Sequence, residues 1–187
     1  EFNNFGTTAT YAGDINNDGF SDIVIGAPDY KVNEKKAGRV YIFYGNNSLD
    51  SEPDVVITGN QYQRLGNSIA LAGDVNNDGY DDIIIGAPYF GAAVGPSSFV
   101  YIYYGGTDMD TTADVIIEKK NWIGFGAAVC RAGDLNNDNY DDIMIGGDGG
   151  SVHVYYGGTK MDTIPDIVLA SEAFGSGFGN SLSVAGD

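Results

Sequence analysis

Three acidic loops of one design stand 60 residues apart in this chain: Asp14-Ile-Asn16-Asn-Asp18-Gly-Phe20-Ser-Asp22, Asp74-Val-Asn76-Asn-Asp78-Gly-Tyr80-Asp-Asp82 and Asp134-Leu-Asn136-Asn-Asp138-Asn-Tyr140-Asp-Asp142. Side-chain oxygens occupy loop positions 1, 3, 5 and 9, and the aromatic residue at position 7 can add its backbone carbonyl. By that arrangement a tight loop encircles a hard cation such as Ca²⁺. The predicted ligands are Asp14, Asn16, Asp18, Phe20 and Asp22; Asp74, Asn76, Asp78, Tyr80 and Asp82; and Asp134, Asn136, Asp138, Tyr140 and Asp142. Glycine at position 6 allows the sharp turn. Asn139 replaces it in the third loop and tolerates left-handed backbone better than most residues, so that site is expected to survive with weaker binding.

An EF-hand would need a bidentate Glu at position 12 and helices on both sides. Position 12 is instead Ile25, Ile85 and Ile145. These lie in the short runs Asp22-Ile-Val-Ile-Gly26, Asp82-Ile-Ile-Ile-Gly86 and Asp142-Ile-Met-Ile-Gly146, which are rich in β-branched residues and too short for helices. Each loop therefore reads as a hairpin connection. Asp/Asn/Gly clusters are ordinary polar turns when they occur once, but three copies in one register point to a repeated ligand set.

The elements that position the loops repeat with them. Strand A starts at Phe5-Gly6, Leu65-Gly66, Phe125-Gly126 and Phe178-Gly179. Strand B is the isoleucine run, which ends in Gly26-Ala-Pro28 and Gly86-Ala-Pro88. Strand C is Val40 to Tyr44, Val100 to Tyr104 and Val152 to Tyr156, and strand D is Asp54 to Ile57, Asp114 to Ile117 and Asp166 to Leu169. In strand C the period-2 alternation sets Val40, Ile42 and Tyr44 on one face and Tyr41 and Phe43 on the other, so both faces are apolar. Four-stranded units covered on both faces are what propeller blades require. The expected architecture is all-β: blade 1 at about 5–58, blade 2 at about 65–118, blade 3 at about 125–170, and a strand of a fourth repeat at 178–187.

Phenylalanine-glycine before strand A, D-x-N-x-D-G-x-x-D, and Gly-Ala-Pro after strand B together resemble the FG-GAP repeat, the blade motif of integrin α-subunit β-propellers and their bacterial relatives. The resemblance implies a propeller fold, Ca²⁺ in the A–B hairpins, and a role in adhesion or extracellular recognition. The third unit departs from the pattern, with Gly146-Gly-Asp148 in place of Gly-Ala-Pro and a B–C loop eight residues shorter. Known propellers typically have four to eight blades. Three blades and one strand are therefore expected to form part of a larger propeller, or one completed by self-association, because an open array leaves apolar sheet faces uncovered.

Composition bounds the rest. A hydrophobic share of 43% in 187 residues supports a packed core, and no apolar run approaches the roughly 18 residues of a membrane helix. No signal peptide stands in the sequence, so any secretion signal was removed or never included. The net charge of −17 disfavours nucleic acid and anionic membranes; three bound Ca²⁺ would bring it to −11. Cys130 is the single cysteine, so no intrachain disulfide exists, and its apolar setting predicts a buried small side chain. Sites of this ligand charge would fill only at extracellular calcium levels, which argues for an extracellular, cell-surface or periplasmic location.

In a four-stranded meander the A–B and C–D loops share one end and the B–C and D–A loops the other. Lys31, Lys35, Lys36, Arg39, Arg64, Lys119 and Lys120 fall at the B–C/D–A end against Asp29, Glu34, Glu118, Asp148 and Glu172, a balance of +2, whereas nearly all other acids lie at the loop end. Tyr30, Tyr89, Phe90 and Trp122 stand in or beside the B–C and D–A loops. That mixture of aromatics with Lys35 and Lys36 marks a candidate recognition face for a protein or glycan. Catalysis finds little support. The only histidine, His153, aligns with Tyr41 and Tyr101 in strand C, and the periodic acids are better explained by cation loops than as a glycosidase pair. The sequence thus predicts a non-enzymatic calcium-binding module. The alternatives are a self-assembling structural segment or a non-catalytic part of a larger secreted glycan- or lipid-processing enzyme.

Overall fold

The computed structural model describes residues 3–48, 51–91, 97–147, 150–172 and 177–185. Among them no helix occurs, and the strands are β1 (Thr8–Tyr11), β2 (Ile23–Ala27), β3 (Lys31–Val32), β4 (Lys35–Lys36), β5 (Arg39–Phe43), β6 (Val55–Thr58), β7 (Ser68–Gly73), β8 (Asp82–Ala87), β9 (Ser97–Tyr103), β10 (Val115–Lys120), β11 (Ala128–Gly133), β12 (Asp142–Gly146), β13 (Ser151–Tyr155) and β14 (Ile167–Ala170). They form three four-stranded antiparallel meanders, β1-β2-β5-β6, β7-β8-β9-β10 and β11-β12-β13-β14. These are three β-propeller blades.

The register is the same in all three. Val24 faces Ile42, Ile84 faces Ile102 and Met144 faces Val154 across strands B and C. Strand D aligns likewise, with Val40 opposite Ile57, Val100 opposite Ile117 and Val152 opposite Leu169. A one-residue slip would turn every apolar side chain to the other face, so the repeated pattern holds the repeated register.

Packing runs from blade to blade. Val24, Val40, Ile42 and Ile57 of blade 1 meet Ile83, Ile85, Tyr101 and Tyr103 of blade 2. The opposite face of blade 2, with Ile84, Val100, Ile102, Val115 and Ile117, meets Ile143, Ile145 and Tyr155 of blade 3. Blade 2 is therefore buried on both sides; every residue of β8 is buried. At roughly 1.5–3 kcal/mol for each fully buried Ile or Val, these two seams dominate the stability of the array. The outer face of blade 1 instead shows Phe5, Tyr11, Ile23 and Val56 to solvent, and β14 is exposed along its whole length.

Three features differ from the sequence reading. The B–C loop of blade 1 contains its own small hairpin, with Lys31 opposite Lys36 and Val32 opposite Lys35. Its connection, Asn33-Glu34, has positive φ at both residues (49° and 62°), the backbone twist of a tight two-residue turn. The expected strand at 178–187 is not formed: residues 177–185 are turns and irregular backbone, and Asp187 lies outside the described residues. Strand A pairs with strand B of its own blade, and the described residues contain none to receive it. The segment still docks where a fourth strand A would start, since Gly179 lies against Gly146 and Val152. Cys130 is half-buried rather than fully buried; burial raises its thiol pKa, opposed by a hydrogen bond with the Val184 backbone.

Candidate functional site

All three acidic loops fold identically around their own amides. In the first, Asp14 Oδ1 accepts from the Asp18 N–H (3.0 Å) and Oδ2 from the Gly19 N–H (2.9 Å), while Asn16 Oδ1 accepts from Asp18 N–H (3.1 Å) and Asp18 Oδ1 from Phe20 N–H (2.9 Å). The second and third repeat this scheme, including Asn139 N–H to Asp134 Oδ2 at 2.8 Å. Asn139 takes φ 70° beside 88° at Gly19 and 90° at Gly79, so the substitution keeps the turn. A second left-handed residue sits at position 4 of each loop, Asn17, Asn77 and Asn137. That explains the repeated Asn-Asn pair, because Asn bears this backbone better than other non-glycine residues.

Position 9 closes each loop from below. Asp22, Asp82 and Asp142 are fully buried. Each carboxylate accepts two amides: Ile15 (2.7 Å) and Gly45 (2.8 Å) at Asp22, Val75 and Gly105 (both 2.8 Å) at Asp82, Leu135 (2.7 Å) and Gly157 (2.9 Å) at Asp142. Burial raises all three pKa values, Asp82 to about 8. The amides oppose the rise, and the carboxylates at positions 1 and 5 add to it. The acids of one loop lie close enough to repel, yet among the described residues no three acid, His or Cys side chains gather into a ready metal cage. The donor set itself, carboxylates, a carboxamide oxygen and a peptide carbonyl, fits a hard cation.

The seams explain two motifs that the sequence presents only as strings. Gly6, Gly66 and Gly126 each donate their N–H to the carbonyl of Gly26, Gly86 and Gly146 in the same blade (3.0, 3.2 and 2.9 Å). The carbonyl of the next blade's phenylalanine-glycine or leucine-glycine turn then packs on that same glycine. A Cβ on Gly26 would stand 2.3 Å from Gly66 O, one on Gly86 2.0 Å from Gly126 O, and one on Gly146 2.2 Å from Gly179 O. Thr8 and Ser68 complete the contact by donating their hydroxyls to Gly66 O (2.8 Å) and Gly126 O (2.7 Å). The two halves of the motif are thus the two sides of one inter-blade joint. Sequence reasoning missed the hydroxyls; their shared place two residues after the turn glycine was the available signal.

At the opposite end the candidate recognition residues form two groups. Along the first seam, Arg39 lies over the Tyr30 ring (3.5 Å to its centroid), Lys36 and Arg64 both pair with Asp29 (3.0 and 2.9 Å), Arg64 reaches Phe90 (5.8 Å) and Lys35 reaches Tyr62 (5.3 Å). Along the second, Trp122 packs edge-on to Phe125 (6.4 Å) and His153 (5.4 Å) under Lys119, and the Tyr89 carbonyl accepts from Gly124 N–H. Tyr30 and Tyr89 are half-buried, Phe90 is 50% exposed, and Trp122 serves partly as packing.

Meanders of this register, joined glycine to carbonyl and carrying an acidic loop between strands A and B, define a partial β-propeller of FG-GAP type. The FG-GAP repeat family matches residues 6–43 and 65–103, so the chain carries FG-GAP repeats, the matched units being blades 1 and 2. It is similar to integrin alpha-5 of Xenopus laevis (33% identical over 164 residues, 80% of this chain), integrin alpha-8 of Mus musculus (33% over 164 residues, 81%) and integrin alpha-IIb of Mus musculus (35% over 155 residues, 76%). The chain spans about 15% of the length of these relatives.

Proposed function

We propose that this chain is a non-enzymatic, calcium-binding propeller module that acts outside the cell in adhesion or in recognition of a protein or glycan. The observation that carries the calcium reading is a buried carboxylate in each loop, Asp22, Asp82 or Asp142, set beside two further acids. Among the described residues no Lys or Arg pairs with any of the nine. A divalent ion supplies the missing positive charge and favours the ionised form of every acid around it. Asp14, Asn16, Asp18, Asp22 and the Phe20 carbonyl would hold it in blade 1, with their counterparts in blades 2 and 3. Calorimetric titration of the EGTA-treated chain with CaCl₂ is expected to saturate at three ions per chain, the third the weakest. Absence of binding heat and of any spectroscopic response overturns the reading.

Adhesion is supported by the likeness to integrin α chains and by the division of charge between the two ends. Phe90, 50% exposed, and Lys35, whose contact is the Tyr62 ring, are the chosen probes of the recognition face, because Trp122 packs against Phe125 and Lys36 is ion-paired with Asp29. Phe90→Ala combined with Lys35→Glu is expected to reduce calcium-dependent retention on an array of immobilised matrix proteins and glycans several-fold. Equal retention by variant and parent would reject this face.

A further inference from the structure

Position 8 of the loop is Ser21 in blade 1 but Asp81 and Asp141 in blades 2 and 3. Neither acid belongs to the predicted ligand set, and both turn away from their own loop. Asp81 Oδ2 accepts the backbone N–H of Asp14, the first ligand of the preceding loop, at 2.9 Å. Asp81 N–H donates back to the Asp14 carbonyl (3.4 Å), and Gly106 N–H donates to the Ile15 carbonyl (2.8 Å). Asp141 repeats the contact on Asp74 (2.9 Å), with Asp141 N–H to Asp74 O (3.1 Å) and Gly158 N–H to Val75 O (2.7 Å).

Gly13 and Gly73 make room for these carboxylates: a Cβ at either position would lie 2.0 or 2.1 Å from the Asp81 or Asp141 Oδ2. The glycines of the first two Ala-Gly-Asp units, Gly13 and Gly73, thus leave the space that the following blade's acid occupies. Among the described residues nothing comparable meets Asp134, and Gly133 faces open space.

We propose that Asp81 and Asp141 are positioning residues for the cation loop of the preceding blade, so that the affinity of the first and second loops is set partly by the loop that follows each. This rests on the calcium reading above. The clamp fixes the backbone of the first ligand before an ion arrives, removing ordering cost from binding. The coupling runs one way along the chain, and the third loop lacks it within the described residues.

The test is crosswise, because Asp81 lies in loop 2 and acts on loop 1. Backbone amides of Gly19 and Gly79, followed by NMR during CaCl₂ titration of the whole chain, report the two loops separately. Asp81→Ala is expected to shift the Gly19 midpoint to roughly three- to tenfold higher Ca²⁺, the worth of one net hydrogen bond, and to leave Gly79 within about twofold. Asp81→Asn keeps an acceptor without the charge and should restore the Gly19 midpoint. Asp141→Ala should instead move Gly79 and spare Gly19, which serves if Asp81→Ala folds poorly. An unmoved Gly19 in Asp81→Ala, or an Asn variant as weak as the Ala variant, overturns the clamp while leaving calcium binding standing. Unresponsive Gly19 and Gly79 in the parent chain overturn both.

Discussion

Gly86→Ala is expected to destabilise the array by about 3 kcal/mol or more, the upper range for forcing extra volume into a packed site. The added methyl would meet Gly126 O at 2.0 Å and Ser68 Oγ at 2.2 Å. The serine hydroxyl could rotate away, but the carbonyl belongs to the backbone of blade 3 and also anchors the Ser68 hydrogen bond. Relief therefore requires parting the two blades, which exposes the core between Ile84, Ile102, Ile143 and Ile145. Gly106→Ala is the control. A Cβ there has no atom within 4 Å and φ is not in the left-handed region, so its change should stay within about 0.5 kcal/mol. Urea unfolding of both variants decides the matter; equal midpoints would mean that the joint accommodates a methyl group.

Calcium removal is expected to have the larger effect. With dissociation constants of roughly 10⁻⁴–10⁻³ M, 10 mM Ca²⁺ stabilises each occupied loop by about 1.4–2.7 kcal/mol, so three loops contribute on the order of 4–8 kcal/mol. For a chain of this size each kcal/mol moves the melting midpoint by about 2–4 °C, and EGTA should therefore lower it by roughly 8 °C or more. Asp82→Ala separates the ion from the scaffold. In EGTA it leaves the amides of Val75 and Gly105 without their acceptor, a cost of about 1–3 kcal/mol each, offset by release of a carboxyl that burial already holds near pKa 8. In Ca²⁺ the variant should in addition lose one loop's share of the ion's effect. A calcium increment unchanged by Asp82→Ala would remove Asp82 from the ligand set.

The blades were legible because their signals are local and repeated. Isoleucine runs, alternating strand C residues and a common loop spacing state strand order and register three times over. The joints were not legible, since they depend on atoms far apart in sequence. Asp81 stands 67 residues from Asp14, and in an acidic loop it looks like one more solvated charge. Gly26 and Gly86 read as motif letters until the neighbouring carbonyl is seen filling their Cβ positions. The hairpin at Lys31 to Lys36 had a local signal, Asn33-Glu34, but it was masked by the polar character of the surrounding loop. The expected strand at Phe178 failed for another reason: its pattern is that of a strand A, and pairing needs a partner that pattern alone does not provide.

The glycine joint also bears on how such a chain can diversify. Gly26 and Gly66 stand 40 residues apart, as do Gly86 and Gly126, but Gly146 and Gly179 stand only 33 apart and still meet. The shortening falls in the B–C connection, outside the contact. The joint itself is thus made by a few backbone atoms at one edge of each unit, which leaves the lengths of the intervening loops free to drift. Such units are interchangeable parts: a loop could be lengthened, trimmed or replaced on one of them without renegotiating its fit to the next.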